Sequence, residues 1–500
     1  MARFYIENFG CRATQADGAA LERQFLERGM ERASAARDAE IVVLNTCTVT
    51  ESADKDARAS IRRLRRINPE CRILVTGCYA QRAPEELAAI SGVTWVVGNS
   101  HKHRAAEIVA SPSFRDSVSS SATCGFVPLG QLSTRQRSHE QVSEGPATVI
   151  VGDIFAHTEL LAAPVFEAAN ERTRPNLKVQ DGCDNRCSFC VIPYVRGHSR
   201  SLSSERVVAE VRVLVDAGYR EVVISGINLG RWGRDLQAVG CQSSVVGERK
   251  CSSSMIFSLG HDDSDRKRLA TKNQRLVDLV RALLAQTSLE KLRISSVEPM
   301  DWSDELIALM ASSPRIAKHA HVPMQSGSDA VLRRMHRKYR PWHYQEKILK
   351  IRAAMPTAAI GADVMVGFPG ETDAEFDQTR CMIENLPFTY LHVFTYSPRP
   401  GTPAATQPGQ VAAALARDRN RVLREIAFRK KRTFMQSLIG TVVEAITLQS
   451  FCAESTEALT ENYLKIKFPG RYDANRWMRL NVRSVEDEML VAHPPLPTVA

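Results

Sequence analysis

Two rhythms of apolar residues alternate through the first hundred positions of this chain. Arg3–Asn8 has the period-two pattern of a strand, and Gln15–Arg28 carries an apolar stripe at helical spacing closed by Gly29. IVVLNT (Ile41–Thr46) is a continuous apolar run and predicts a buried strand. A helix over Ser52–Arg66, a strand over Arg72–Thr76, a helix over Pro84–Ile90 and a short strand over Thr94–Val97 complete the series. Strand and helix in this order predict a doubly wound parallel α/β domain over 1–110.

A second series begins at Asn176. The strand LKVQD leads into a cysteine-rich loop. A helix follows from Ser203, with Val207, Val208, Val211, Leu214 and Val215 on one face and Gly218 at its end. EVVIS ends at Gly226, and further strands are predicted over Lys291–Ser296, His321–Met324, Ile360–Val366 and Leu391–Thr395. Repeated βα units predict a partial, TIM-like (β/α) barrel over 169–400. A connecting helical segment is expected over 401–437. Short β-rich runs such as GTVVEAITLQ, YLKIKF and EMLVAH then predict a small β-barrel over 438–500, of a kind that binds RNA. Two stretches have no period. Residues 111–146 are rich in Ser, Gly and Pro, within a linker or insertion over 111–168, and 238–273 is a polar, Ser-rich insertion in the barrel.

Composition narrows the class. The chain has 500 residues, 44% hydrophobic and 24% charged, as in soluble globular proteins. No apolar run approaches the roughly 20 residues of a membrane span. The start, MARFYIENFGC, lacks signal-peptide features, so no membrane partner and a cytoplasmic location are expected. A net charge of +10 suits a polyanionic partner such as nucleic acid, or simply a soluble basic surface. Twelve cysteines in a chain this long point to reduced thiols and metal ligation rather than disulfides.

Where the cysteines fall gives the chemistry. CDNRCSFC places Cys183, Cys187 and Cys190 on one loop after a strand. Three thiolates on a four-iron cube leave one iron open, where the amino and carboxylate groups of S-adenosylmethionine (SAM) can chelate. The alternative is a structural zinc site with His198 as fourth ligand. Cys11, Cys47 and Cys78 each follow a different strand of the first sheet, so the parallel topology brings their strand ends to one edge. They predict a second three-thiolate cluster, with three core cysteines as the bland alternative. Cys71 enters its strand from the opposite pole and is not expected to be a ligand. Cys124, Cys241, Cys251, Cys381 and Cys452 need no metal to explain them.

These blocks resemble one family. ENFGCRATQAD, VLNTCTVTESAD, ILVTGCYAQ and KVQDGCDNRCSFCVIPYVRGHSRS, with the later motifs SSVEP, HVPMQSGSD, DVMVGFPGET and FTYSPRPGTPA, are similar to the methylthiotransferases of the radical-SAM superfamily. ALTENYLKIKF resembles their RNA-binding TRAM domain. NTCTVT with the segment after it resembles the MtaB type, which acts on N6-threonylcarbamoyladenosine at position 37 of tRNA, in the anticodon loop. Other branches act on isopentenyladenosine in tRNA or on a ribosomal-protein aspartate. The resemblance implies two 4Fe–4S clusters, SAM and a reducing donor such as flavodoxin or ferredoxin. It further implies a 5′-deoxyadenosyl radical that removes hydrogen from C2 of the adenine, sulfur from the Cys11/Cys47/Cys78 cluster, and a methyl group from a second SAM. A reading of another class is a non-catalytic RNA-binding protein with structural zinc.

Gly226, Ser296, Glu298, Gln325 and Gly367 fall at or just past predicted strand ends on the barrel's active face. There they can hold SAM, although turn or packing roles explain them equally well. Three basic runs, Arg62–Arg66, Arg333–Arg340 and Arg429–Arg432, can meet phosphates or be solvated helix faces. Tyr463, Lys465 and Lys467 alternate along a predicted strand, and a shared aromatic and lysine face suits RNA.

Overall fold

The computed structural model describes residues 1–110, 147–157, 160, 174–236, 274–449 and 454–493. The two insertions over 111–146 and 238–273, with Cys124, Cys241, Cys251 and also Cys452, lie outside the described residues.

The first unit runs β1 (Arg3–Asn8), α1 (Arg12–Glu27), β2 (Glu31–Arg32), β3 (Ile41–Thr46), α2 (Glu51–Ile67), β4 (Arg72–Gly77), α3 (Cys78–Arg82), α4 (Pro84–Ala88), β5 (Val93–Gly98), α5 (Ala105–Ala110) and β6 (Thr148–Ile150). The sheet order is β2-β1-β3-β4-β5-β6, and every pairing is parallel. The all-apolar core of β3 is buried on both faces, as a parallel strand covered by helices requires. Here the expected boundary is corrected. The sheet does not end at residue 110, because Thr148–Ile150 returns as a sixth strand beside β5.

The second unit runs β7 (Asn176–Asp181), α6 (Ile192–Arg196), β8 (Arg200–Ser201), α7 (Ser204–Asp216), β9 (Glu221–Gly226), α8 (Leu276–Gln286), β10 (Lys291–Ile294), α9 (Asp304–Ser312), β11 (His319–His321), α10 (Asp329–Arg334), α11 (Pro341–Ala354), β12 (Ala359–Val366), α12 (Asp373–Asn385) and β13 (Tyr390–Thr395). Strands β7, β9 and β10 pair in parallel, as do β11, β12 and β13. A single bridge from Leu292 to Ile316 joins the halves, which gives a partial barrel with one large core. Helix α7 shows why the segments fold locally as they do. Ser203 caps it by accepting from the Arg206 amide, and Val207, Val208, Val211 and Leu214 fill its inner face.

Helix α13 (Ala413–Gln436) leads to β14 (Val442–Thr447), β15 (Ser455–Thr460), β16 (Lys465–Pro469), β17 (Trp477–Glu486) and β18 (Met489–Ala492), a closed five-strand barrel. It docks on the amino-terminal ends of the larger barrel's strands. Lys291 Nζ reaches Glu444 at 3.0 Å, and Arg293 donates to the Glu461 carbonyl at 3.0 Å while pairing with the fully buried Glu221. Among the described residues no helix is long and apolar enough to cross a membrane.

Candidate active site

The loop after β7 is built to present its thiols. Gly182 sits at φ +70°, and a Cβ there would lie 1.9 Å from the His198 carbonyl oxygen, so only glycine fits. Ser188 in the loop hydrogen-bonds the Arg334 and Met335 segment, and Asn185 and Asn228 donate toward Cys183 Sγ at 3.4 and 3.6 Å. Arg337 Nη1 lies 3.2 Å from Cys187 Sγ, and its other nitrogen holds Glu298. Burial pushes the Cys190 thiol up to about 12, helped by its neighbours Cys187 and Cys183. A metal that displaces those protons would offset the charge of the three thiolates.

Cys11, Cys47 and Cys78 lie where the parallel sheet ends. Asn8 is in register with Asn45, and Thr46 with Gly77, so all three cysteines follow aligned strand ends. Gly10 takes φ +97°, and a Cβ on it would sit 2.9 Å from Cys47 Sγ, so the missing side chain is what lets the Cys11 turn approach Cys47. Burial raises Cys47 to about 12, with Cys78 and Cys11 adding to it. Cys71 is buried at the other end of β4, in the core beneath α2.

The two cysteine-bearing segments touch across the domain boundary. Cys78 packs against Val191, directly after Cys190, and against Val195 one helical turn further on. Asn99, at the end of β5, donates to the Val195 carbonyl at 2.7 Å and lies 3.6 Å from Cys78 Sγ.

The family described as uncharacterized protein family UPF0004 matches residues 3–98, and the radical SAM superfamily matches 177–238 and 242–381. A Bacillus subtilis protein named threonylcarbamoyladenosine tRNA methylthiotransferase MtaB is 34% identical over 477 residues, 95% of this chain and 92% of its own. A protein of the same name from Aquifex aeolicus is 32% identical, covering 95% of this chain and 98% of its own. The chain belongs to the radical-SAM methylthiotransferase family. A Novosphingobium aromaticivorans relative named tRNA-2-methylthio-N(6)-dimethylallyladenosine synthase is 31% identical over 89% of this chain and 86% of its own. The radical SAM methyltransferase TsrM from Kitasatospora setae shares the fold, at a TM-score of 0.51 and 14% identity over 81% of this chain and 75% of that one.

Membership of the superfamily implies a 4Fe–4S cluster and SAM in this methylthiotransferase. The residues present fit both. Three free thiols on one loop suit a cube that takes each thiolate on a different iron. His198 pairs with Asp184 at 2.8 Å, both side chains exposed. Near the cysteine loop and the strand ends, the buried Asn185 Oδ1, Asn228 Oδ1 and Gln325 Oε1 accept no hydrogen bond, which leaves acceptors for a polar, cationic ligand.

The five residues expected to face SAM lie at the carboxyl end of a strand (Gly226) or past one (Ser296, Glu298, Gln325 and Gly367), in differing states. Gln325 has φ +63° and bridges to Val364. Glu298 is held by Arg337, and Ser296 bonds His321 Nδ1. Gly226 packs on Gln180, and Gly367 packs on Ala416 of α13, which gives both glycines a steric reason as well.

One expectation is corrected. Tyr463 does not share a strand face with Lys465 and Lys467. It occupies the turn before β16 at φ +68°, which swings its ring against His319 and Tyr390 and under the Arg12, Arg174 and Arg293 guanidiniums. Lys465 and Lys467 remain exposed on β16.

The basic runs also change meaning. Arg63 pairs with Glu7, Arg333 with Asp329, Arg334 with Glu375, and Lys430 donates to the last carbonyls of α12. Sequence reasoning missed Arg337 because it was hidden in one of those runs. It also missed His321, Asp363 and His392, where Asp363 lies 3.2 Å from each imidazole. Burial opposes ionisation of Asp363, but the two histidines outweigh it and hold the carboxyl below the usual range.

Proposed function

We propose that this protein is a tRNA methylthiotransferase that adds sulfur and a methyl group at C2 of N6-threonylcarbamoyladenosine 37. The reading rests on the contact of Cys78 with Val191 and Val195, which brings a second thiol triad beside the Cys183/Cys187/Cys190 loop. Cys183, Cys187 and Cys190 would hold the SAM-cleaving 4Fe–4S cluster, and Cys11, Cys47 and Cys78 an auxiliary one. With an electron from a donor such as flavodoxin or ferredoxin, the bound cofactors supply the radical, the sulfur and the methyl group.

The chain's own residues do the positioning. Arg337 and Asn228 steady the thiols of the first triad, and Gln325 and Asn228 offer unpaired acceptors to SAM. On this reading the parallel sheet edge carries the second triad, and Val191 and Val195 pack on its Cys78. Lys465 and Lys467 supply an exposed cationic strand for RNA phosphates. The two relatives named for threonylcarbamoyladenosine support that substrate, and the 31% identical relative named for dimethylallyladenosine supports the second reading.

Nucleoside mass spectrometry on tRNA from cells lacking the protein tests the substrate. Loss of 2-methylthio-N6-threonylcarbamoyladenosine, restored by the intact gene, is expected. Loss of the dimethylallyl product instead establishes the second reading.

A further inference from the structure

Between the two thiol triads lies a set of charges that the catalytic reading does not use. Asp17 on α1 accepts from Lys102 Nζ at 2.9 Å, from Arg196 Nη2 at 2.9 Å and from Lys178. Asp181 accepts from Lys178 at 2.7 Å and from both approaches of Arg196 Nη1 at 2.9 and 3.0 Å. Asp17 and Lys102 belong to the amino-terminal unit, and the other three to the barrel. All five are 1–6% exposed.

The charges do not cancel. Burial disfavours the Lys102 ammonium and Asp17 supports it; with all three cations ionised, Lys102, Lys178 and Arg196 face two carboxylates, a surplus of one positive charge in a buried interface. Arg200 lines the same small cavity and adds to the surplus, whereas His157, also there, is kept neutral by burial. An uncompensated buried charge is destabilising, so interiors pair such charges or set them against a metal centre. The nearest partner is at hand. Arg196 follows Val195, which packs on Cys78, and Lys102 lies in the turn that starts with Asn99, the donor to Cys78. Lys102 Nζ also reaches Asn45, two residues before Cys47. An oxidised 4Fe–4S core on three thiolates carries a net charge of about −1.

We propose that Asp17, Lys102, Lys178, Asp181 and Arg196 are a buried counter-charge for the auxiliary cluster, so that docking of the amino-terminal unit on the barrel is coupled to cluster loading. This rests on the two-cluster reading above. Loading lowers this positive surplus by one charge, and the empty interface keeps the whole of it. Lys102 is the informative member, because Asp17 keeps Lys178 and Arg196 when Lys102 is removed.

The test uses full-length protein carrying Cys183→Ala, Cys187→Ala and Cys190→Ala, so that only the auxiliary site can load. Anaerobic reconstitution with iron and sulfide should raise the thermal midpoint of this parent. Adding Lys102→Met should leave the empty form folded and at least as stable as the empty parent, and cut the gain on loading by half or more. The same variant should lower the one-electron reduction equilibrium of the cluster about tenfold, about 59 mV. Lys102→Arg should restore both. An empty Lys102→Met protein that does not fold, a full gain on loading, or an unmoved potential each overturns the proposal. A parent that takes up no iron overturns the two-cluster reading and this proposal with it.

Discussion

Asn99 joins the two units of the enzyme through Val195. Its amide nitrogen donates to the Val195 carbonyl at 2.7 Å and sits 3.6 Å from Cys78 Sγ, so one side chain holds the backbone after Cys190 against a thiol of the other triad. Both groups are buried, and leaving the carbonyl without its donor costs about 1–3 kcal/mol. Asn99→Ala should therefore lower the thermal midpoint and loosen Cys78. In anaerobically reconstituted protein the iron content should fall toward that of one cluster. An unchanged midpoint with full iron would refute this role.

The ligand assignment separates two cysteines of β4 that are only seven positions apart in sequence. Cys78 opens α3 at the strand's carboxyl end, and Cys71 precedes its amino end. Cys47→Ala should lose about one cluster's worth of iron. Cys71→Ala should keep the full iron content and show only a modest loss of stability from the space left in the core. Iron and sulfide assays on the two purified variants decide it, and equal losses would count against the strand-end argument.

Much of this was legible in the sequence because the signals were local. The run IVVLNT could only be a strand buried on both faces, and aligned parallel strands place Cys11, Cys47 and Cys78 on one edge whatever the loops do. Strand ends were placed within a few residues for the same reason. What failed depended on contacts far apart in the chain. Thr148–Ile150 is too short to announce a strand, and becomes one by pairing with β5. Tyr463 looked like part of an alternating strand, but a positive φ and three arginines from elsewhere turn its ring inward. Arg337 was one cation among many until the fold set it beside Cys187.

That reassignment of Tyr463 separates two effects on the tail barrel. Lys465 and Lys467 are exposed, with Lys465 3.6 Å from Glu457 at the surface. Changing both to Gln should weaken tRNA binding, reduce the salt dependence by roughly one phosphate contact for each lysine, and leave the thermal midpoint alone. Tyr463→Ala should do the reverse. It removes the hydroxyl that accepts from Arg12 at 3.1 Å and the ring beneath three guanidiniums, so it should destabilise docking of the tail barrel. Filter binding at several salt concentrations, with thermal melts of the same preparations, distinguishes the two.

His157 gives the fold a dependence on acid. Burial, with Arg200 and His103 adding repulsion, lowers it from an ordinary value near 6.5 to about 4. The folded form therefore stays neutral over a range in which the unfolded chain takes up a proton. Stability from this group is complete above pH 6.5 and declines as pH falls toward 4, because protons then favour the unfolded state. His157→Asn removes the titrating group. Thermal midpoints at pH 7.5 and pH 5 should fall further for the unsubstituted protein than for the variant. Equal falls would mean that the ring is protonated in the folded protein and that the interface beside Arg200 accommodates its charge.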